Sequence, residues 1–318
     1  MAKKLPKKVS KVYGQVLAEH RRTVARTIER GGAQRMKKLY DAAQESLVGK
    51  LRDMAKSKAP FTAHQRALTL GQVRQGQAII AKRLTGELGD ISLTVQTESL
   101  RGLIGGIARM EEHYTGAEIA LPIEEASRFR GIIDGRRESL LRSHAESMGN
   151  YGSTLVGAME DELSQSLIEA ETCGEAIDRI QEVSGMEWWQ GERIARTELA
   201  SAFSTTTYDG IREAAVELDD LGMRWVEYVD DDTGKPLDDR VGEDSLAMHG
   251  QIVRAGGLFH FPPTLPEGEQ LPHALQKMVG KSWPCPPNRP NDRSTITPWR
   301  PHWGIPGWRL QGGRRVPM

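Results

Sequence analysis

Gly191-Glu192-Arg193-Ile194-Ala195-Arg196-Thr197-Glu198-Leu199-Ala200 opens the segment whose reading decides the fold, a segment that runs on to Pro298. Ile194, Ala195, Leu199 and Ala202 recur at helical spacing, which predicts a helix from Gly191 to Leu218. Arg193, Arg196 and Glu198 fall on its other faces. Arg196 and Glu198 are two residues apart and cannot pair on a helix, so each is expected to meet a partner elsewhere in the fold. Asp219-Asp220-Leu221-Gly222 ends the helix. Met223 to Val229 then reads as a strand, with Trp225, Met223 and Tyr228 as packing residues. Asp230-Asp231-Asp232-Thr233-Gly234 is a polar turn. It lacks the ligand order and terminal Glu of a calcium loop. Asp239-Arg240-Val241 and Met248-His249-Gly250 follow, then strand-like runs at 251–254 and 258–261. From Pro262 onward proline excludes long regular elements, and Pro290-Asn291 and Thr297-Pro298-Trp299 are expected to be extended.

In this order the four blocks resemble the Mu F-like (MuF domain) minor head proteins of tailed phages. That family is recognised by an Ala-Arg-Thr-Glu-type helix, a tryptophan strand, an Asp-Arg-Val segment with a downstream His/Asp-Gly, and a terminal Pro-Asn-Cys-Arg-Cys-Thr segment. The residues that match are Arg193, Arg196, Thr197, Glu198, Trp225, Asp230, Asp239, Arg240, His249, Gly250, Pro290, Asn291 and Arg293. The resemblance implies a structural role for them. It also implies a minor capsid, head-morphogenesis protein at the portal vertex or capsid interior, made in the host cytoplasm. Several copies per virion are expected. The implied partners are the portal protein, scaffold or major capsid protein, and packaged DNA bound without sequence preference; no cofactor and no membrane are implied.

The departures from the family pattern matter too. Relatives carry Cys-x-x-Cys after Asp-Arg-Val and Cys-Arg-Cys near the end, as a tetrahedral zinc site would need. Here Gly242 and Ser245 stand in place of the first pair, and Asp292 and Ser294 in place of the second. A soft-metal site is therefore not expected. One carboxylate and two hydroxyls are poor ligands for a hard cation. The alternative to a structural protein is an ADP-ribosyltransferase-like enzyme centred on Glu198 and His249, with Asp230 and Asp239 as further carboxylates. The chain has no nucleophile elbow, phosphate-cradling loop or metal motif, and Gly256-Gly257 stands alone, so catalysis is not expected.

Working outward, composition changes near residue 187. All seven Trp lie at 188 or later, and thirteen of sixteen Pro lie at 236 or later. The expectation is an α+β protein in two parts. Residues 1–185 form a long, mainly α-helical part with a basic N-terminal arm. Residues 186–318 form a small MuF-like α+β domain with short strands and a Pro- and Trp-rich, irregular C-terminus.

The formal net charge is zero, yet residues 1–58 hold 16 Lys/Arg against 5 Asp/Glu, a balance of +11. The basic face carries Arg21, Arg22, Arg26, Arg30, Arg35, Lys37 and Lys38, which makes these the candidates for contact with DNA or an acidic portal surface. Few aromatics interleave with them, so contact would be with phosphates rather than bases. With Cys173 and Cys285 alone there is no disulfide framework, and a reducing compartment is the default. No apolar run approaches the ~20 residues of a membrane span.

Within the helical part, Met36, Tyr40, Ala43, Leu47, Leu51 and Met54 form one apolar stripe. Gly31-Gly32 predicts a break or kink before it. Gly89-Asp90 predicts a helix stop, and separate helices are expected over 123–151 and 152–171. His144 reads as a core histidine. The tail from Gly304 reads as a frayed end or an arm over a neighbouring subunit, with Trp303 and Trp308 as anchors.

Overall fold

The computed structural model describes residues 7–54, 60–121, 125–229, 236–237, 241–264, 270–287, 292, 294–312 and 314–318. These residues are mostly helical, with a few short antiparallel strands in small sheets. A long helical part is thus accompanied by a small α+β region. Among the described residues no helix is long and apolar enough to cross a membrane.

The chain packs into two compact units, each built from separated stretches. The first comprises Met1–Ile28, Ser92–Arg137 and Leu199–Met318, and the second comprises Glu29–Ile91 and Glu138–Glu198. The composition change near 187 falls inside the second unit, between α5 (Cys173–Met186) and α6 (Trp188–Ala214).

The second unit is helical. The predicted stripe is its core: Met36, Tyr40, Leu47 and Leu51 on α2 (Ala33–Met54) are buried. Tyr40 stacks on Trp188 with ring centroids 4.5 Å apart and donates to Ser184 O at 2.8 Å. The break expected at Gly31-Gly32 takes the form of a π-helical segment, Ala25–Gly32, that joins α1 (Lys7–Val24) to α2. Such wide turns are rare and interrupt the i→i−4 ladder without ending the helix.

Two expected boundaries are absent. α3 runs unbroken from Ala63 to Thr115 through Gly89-Asp90, and α4 is one helix, Ala126–Ile168, rather than two. The glycines do a different job here. A Cβ at Gly89 would lie 2.8 Å from Leu141 Cδ2, and one at Gly152 would lie 3.4 Å from Ala81 Cβ. Both face the other helix, so the neighbouring side chain occupies the space beside each glycine, and each costs its helix ~1 kcal/mol relative to alanine without ending it. Short α5 starts on a capping box, in which Thr172 Oγ1 accepts from Glu175 N–H while the Glu175 carboxylate accepts from Thr172 N–H.

The first unit joins α1 residues Tyr13, Val16 and Leu17 to Leu103, Ile107 and Met110 of α3 and Ile211 of α6 in one core with the strands. Its main sheet has the order β2-β1-β5, all antiparallel, from β1 (Gly222–Val226), β2 (Ile252–Arg254) and β5 (Thr295–Trp299). Met223 lies opposite Val253 on one side and Pro298 on the other. β1 is central and buried at all five residues, Arg224 included, whose guanidinium donates to Pro306 O at 3.1 Å and to the Tyr13 hydroxyl at 2.6 Å. Pro298 is tolerated because β5 is an edge strand in this sheet. The expected strand to Val229 ends earlier, because the chain turns aside at Glu227.

Short α7 (Glu243–Met248) precedes β2. A two-stranded ribbon follows from β3 (Phe259–His260) and β4 (Ser282–Trp283), with α8 (His273–Gln276) between them. The tail folds back on its own unit, in place of the frayed end or arm expected from sequence. Trp303 is fully buried, and β6 (Trp308–Gln311) pairs with β7 (Arg314–Pro317).

Candidate functional site

The first unit gathers a polar cluster where β1 ends. Glu227, the residue after β1, is 3% exposed and Asp292 is 2% exposed. Ser294 Oγ lies 2.6 Å from Glu227 Oε2 and 2.6 Å from Asp292 Oδ1. Asp292 Oδ1 also accepts from Ser294 N–H at 2.9 Å and from Ser245 Oγ at 3.3 Å. Ser245 comes from α7, so three stretches far apart in sequence meet here. Burial pushes the Glu227 carboxyl up from its ordinary value, and the nearby Asp292 adds to the shift.

His249 caps the cluster. Its Nδ1 accepts from Glu227 N–H at 3.1 Å, so the proton of the neutral ring sits on Nε2. Burial holds His249 well below its ordinary value, with the charges of Arg224 and Arg21 acting in the same direction. Gly250 adopts φ 80°, a left-handed conformation that favours glycine. That turn lets Gly250 N–H reach Trp225 O at 2.8 Å while Gly250 O receives Trp308 N–H at 2.9 Å. Trp308 Nε1 donates to His249 O at 2.8 Å, so the tail anchors this turn. The His-Gly pair singled out in the sequence is a hydrogen-bonded turn that leads into β2 and is tied to β1 and β6.

Arg21, a candidate for contact with DNA or the portal, is turned inward. Its Nη2 donates to Glu227 O at 3.2 Å and to Val229 O at 2.8 Å. Others of the basic set are paired internally. Arg26 meets Glu98 at 2.7 Å, Arg35 meets Glu87 at 2.6 Å, and Lys37 meets Asp41 at 2.7 Å. Arg22, Arg30 and Lys38 are exposed, with no ion pair among the described residues.

The remaining family-motif residues divide. Trp225 lies on β1, the central strand of the sheet, fully buried. In the second unit Glu198 accepts from Ser143 at 2.9 Å and from Ser147 at 2.7 Å, both on α4, with buried His144 Nε2 at 3.7 Å. This ties α6 to α4 and gives Glu198 partners outside its own helix. Arg196 departs from the sequence reading: it pairs with Glu192 one turn back on its own helix at 2.7 Å. Thr197 donates to Arg193 O, and Arg193 lies over the Trp189 ring. Glu198 and His249 have separate sets of partners. Asp230, Asp239, Arg240, Pro290, Asn291 and Arg293 lie outside the described residues.

Sequence reasoning did not single out Glu227. Its signal was a lone carboxylate inside the apolar run Trp225-Val226-Glu227-Tyr228.

The cluster's neighbour His20 gives a pH prediction. Its Nε2 shares a 2.7 Å hydrogen bond with Thr295 Oγ1, and its ring meets Phe203 edge-on at 4.8 Å. Burial, with Arg21 second, lowers its pKa from 6.5 to about 4. The unfolded chain therefore takes up this proton first as pH falls. Stability present above 6.5 is lost between 6.5 and about 4, by up to a few kcal/mol at ~1.4 kcal/mol per unit. His20→Phe is expected to flatten the acid limb of a denaturant-midpoint series taken from pH 7 to 4.5; an unchanged limb would exclude His20 as its source.

Comparison with protein-family models, with curated proteins and with solved structures gives no significant match to this chain.

Proposed function

We propose that the chain is a minor capsid, head-morphogenesis protein of a tailed phage or prophage, of the Mu F-like type, associated with the portal vertex. The observation that carries this reading is the meeting of positions 245, 292 and 294. The sequence resemblance aligns these positions with two short cysteine pairs that would have to lie together in the relatives. Ser245 and Ser294 both hydrogen-bond Asp292 Oδ1, although 47 residues separate Ser245 from Asp292. An alignment made on unrelated blocks would have no reason to bring them together. Further support comes from the tryptophan strand lying at the sheet centre and from the His-Gly turn tied to it.

The partner in this reading is the portal protein, with scaffold or major capsid protein also in reach during assembly. Packaged DNA would be met through phosphates by the exposed cations Arg22, Arg30 and Lys38. The test is co-purification of the tagged full-length chain with the portal protein of the same phage, at low and raised salt. Retention is expected at both salt concentrations, and absence of portal binding at either would overturn the proposal. Neutralising Arg22, Arg30 and Lys38 to Gln is expected to leave portal retention in place. It should weaken DNA retention and reduce the slope of log K against log salt by up to about 3.

A further inference from the structure

Ser294 Oγ touches two carboxyl oxygens, Glu227 Oε2 and Asp292 Oδ1, at 2.6 Å each. A serine hydroxyl has one proton to donate. Were both carboxyls ionised, one of these contacts would set a hydroxyl lone pair against an anionic oxygen in a desolvated site. The second contact is satisfied only when one carboxyl carries a proton and donates it to Ser294 Oγ.

The surrounding donors decide which carboxyl that is. Asp292 Oδ1 accepts from the Ser294 N–H, a donor that cannot reverse, and stands within reach of the Ser294 and Ser245 hydroxyls, the second of which also meets Glu227. Glu227 accepts the Tyr228 N–H on Oε1 at 2.8 Å, which leaves Oε2 to carry the proton. We infer that Glu227 is protonated in the folded protein and forms, through Ser294, a proton-bridged latch to Asp292 that loosens as pH rises.

The groups around Glu227 are consistent with this. From the α7 turn, His249 is neutral and presents a lone pair to the Glu227 main chain. From α1, Arg21 directs its guanidinium at the carbonyls of Glu227 and Val229, and from β1 the charge of Arg224 reaches the adjoining His249; both cations oppose the proton. From the stretch before β5, Asp292 brings the like charge that disfavours ionisation. The raised carboxyl then fixes the sign of the pH dependence. The latch contributes fully below the unfolded value of 4.5 and is lost as pH rises through the higher folded value.

The experiment is carbon-13 NMR of the full-length chain labelled at glutamate side-chain carboxyls, recorded at pH 7. One resonance at the neutral-acid position is expected, absent from the Glu227→Gln spectrum. Asp292→Asn removes the like charge and should shift the same resonance to the ionised position. A wild-type spectrum in which every glutamate carboxyl is ionised overturns the inference, whether or not either variant folds. A stability series checks the consequence. Glu227→Gln supplies an amide donor where the acid had its proton, so the variant should fold. Relative to it, the wild-type folding constant should fall by up to about tenfold per pH unit above 4.5, until the folded value is passed. Parallel pH profiles for the two proteins would refute the latch.

Discussion

Trp225→Ala is expected to cost the first unit about 3–5 kcal/mol, the range for truncating a buried tryptophan. Total stabilities of domains run to about 5–15 kcal/mol, so this one change brings the unit to the edge of unfolding. The side chain is fully buried on the central strand. Its residue lies opposite Ile296 of β5, its backbone N–H donates to Gln251 O at 2.9 Å, and its ring meets Phe259 edge-on at 5.2 Å. Removing the indole would open a cavity bounded by two neighbouring strands and the β3 ribbon. Rigid strands collapse poorly into such a space, which places the cost at the upper part of the range. Trp225→Phe separates the packing contribution from the polar one. The indole Nε1 is buried with no hydrogen-bond partner among the described residues, so replacing it by a phenyl ring removes an unsatisfied donor as it removes volume. A loss below about 1.5 kcal/mol is expected for Phe. Denaturant melts followed by near-ultraviolet circular dichroism would measure both. An alanine variant within 1 kcal/mol of wild type would mean that Trp225 does not organise this core.

The same strand shows what the sequence could and could not reveal. Trp225 was legible because a bulky aromatic inside a short β-type run almost always packs. The α2 stripe was legible for the same reason, since spacings of three and four leave one face to bury. Glycine in the long helices misled, because Gly89 and Gly152 lie inside helices that pack against each other, and tertiary packing overrides the local propensity. The π-helical segment was half legible: Gly31-Gly32 announced a disturbance without its kind. The Glu227–Ser294–Asp292 cluster was hidden by distance along the chain. Ser245, Asp292 and Ser294 stood out only as departures from a cysteine pattern, and Glu227 matched no pattern at all. The basic arm was misjudged at Arg21, where a charge count cannot tell a guanidinium facing water from one bound to two carbonyls.

Glu111→Ala is expected to cost about 3–5 kcal/mol, the range for breaking a buried ion pair by removing one partner. Glu111 lies on α3 within the first unit and is 3% exposed. Its Oε1 accepts from Trp303 Nε1 at 2.6 Å and lies 3.1 Å from His302 Nε2, and its Oε2 pairs with Arg300 Nη1 at 2.8 Å. Arg300 has a 14% exposed side chain and holds Asp220 at 2.5 Å as well. One carboxylate therefore closes the turn after β5, a turn that Tyr114 also grips through a hydrogen bond to Trp303 O. Alanine would leave the Trp303 indole without its acceptor and Arg300 with Asp220 alone. Glu111→Gln keeps an acceptor for the indole while it removes the charge, so a smaller loss of about 1–3 kcal/mol is expected. Arg300→Met made in the Glu111→Ala background removes the stranded cation, and part of the lost stability should return. The non-additivity of the two changes in a double-mutant cycle measures this coupling, expected at about 1–3 kcal/mol. If Glu111→Ala costs the same with and without Arg300, the ion pair contributes nothing. The turn would then be held by the Trp303 and Tyr114 hydrogen bonds and by packing of the buried indole.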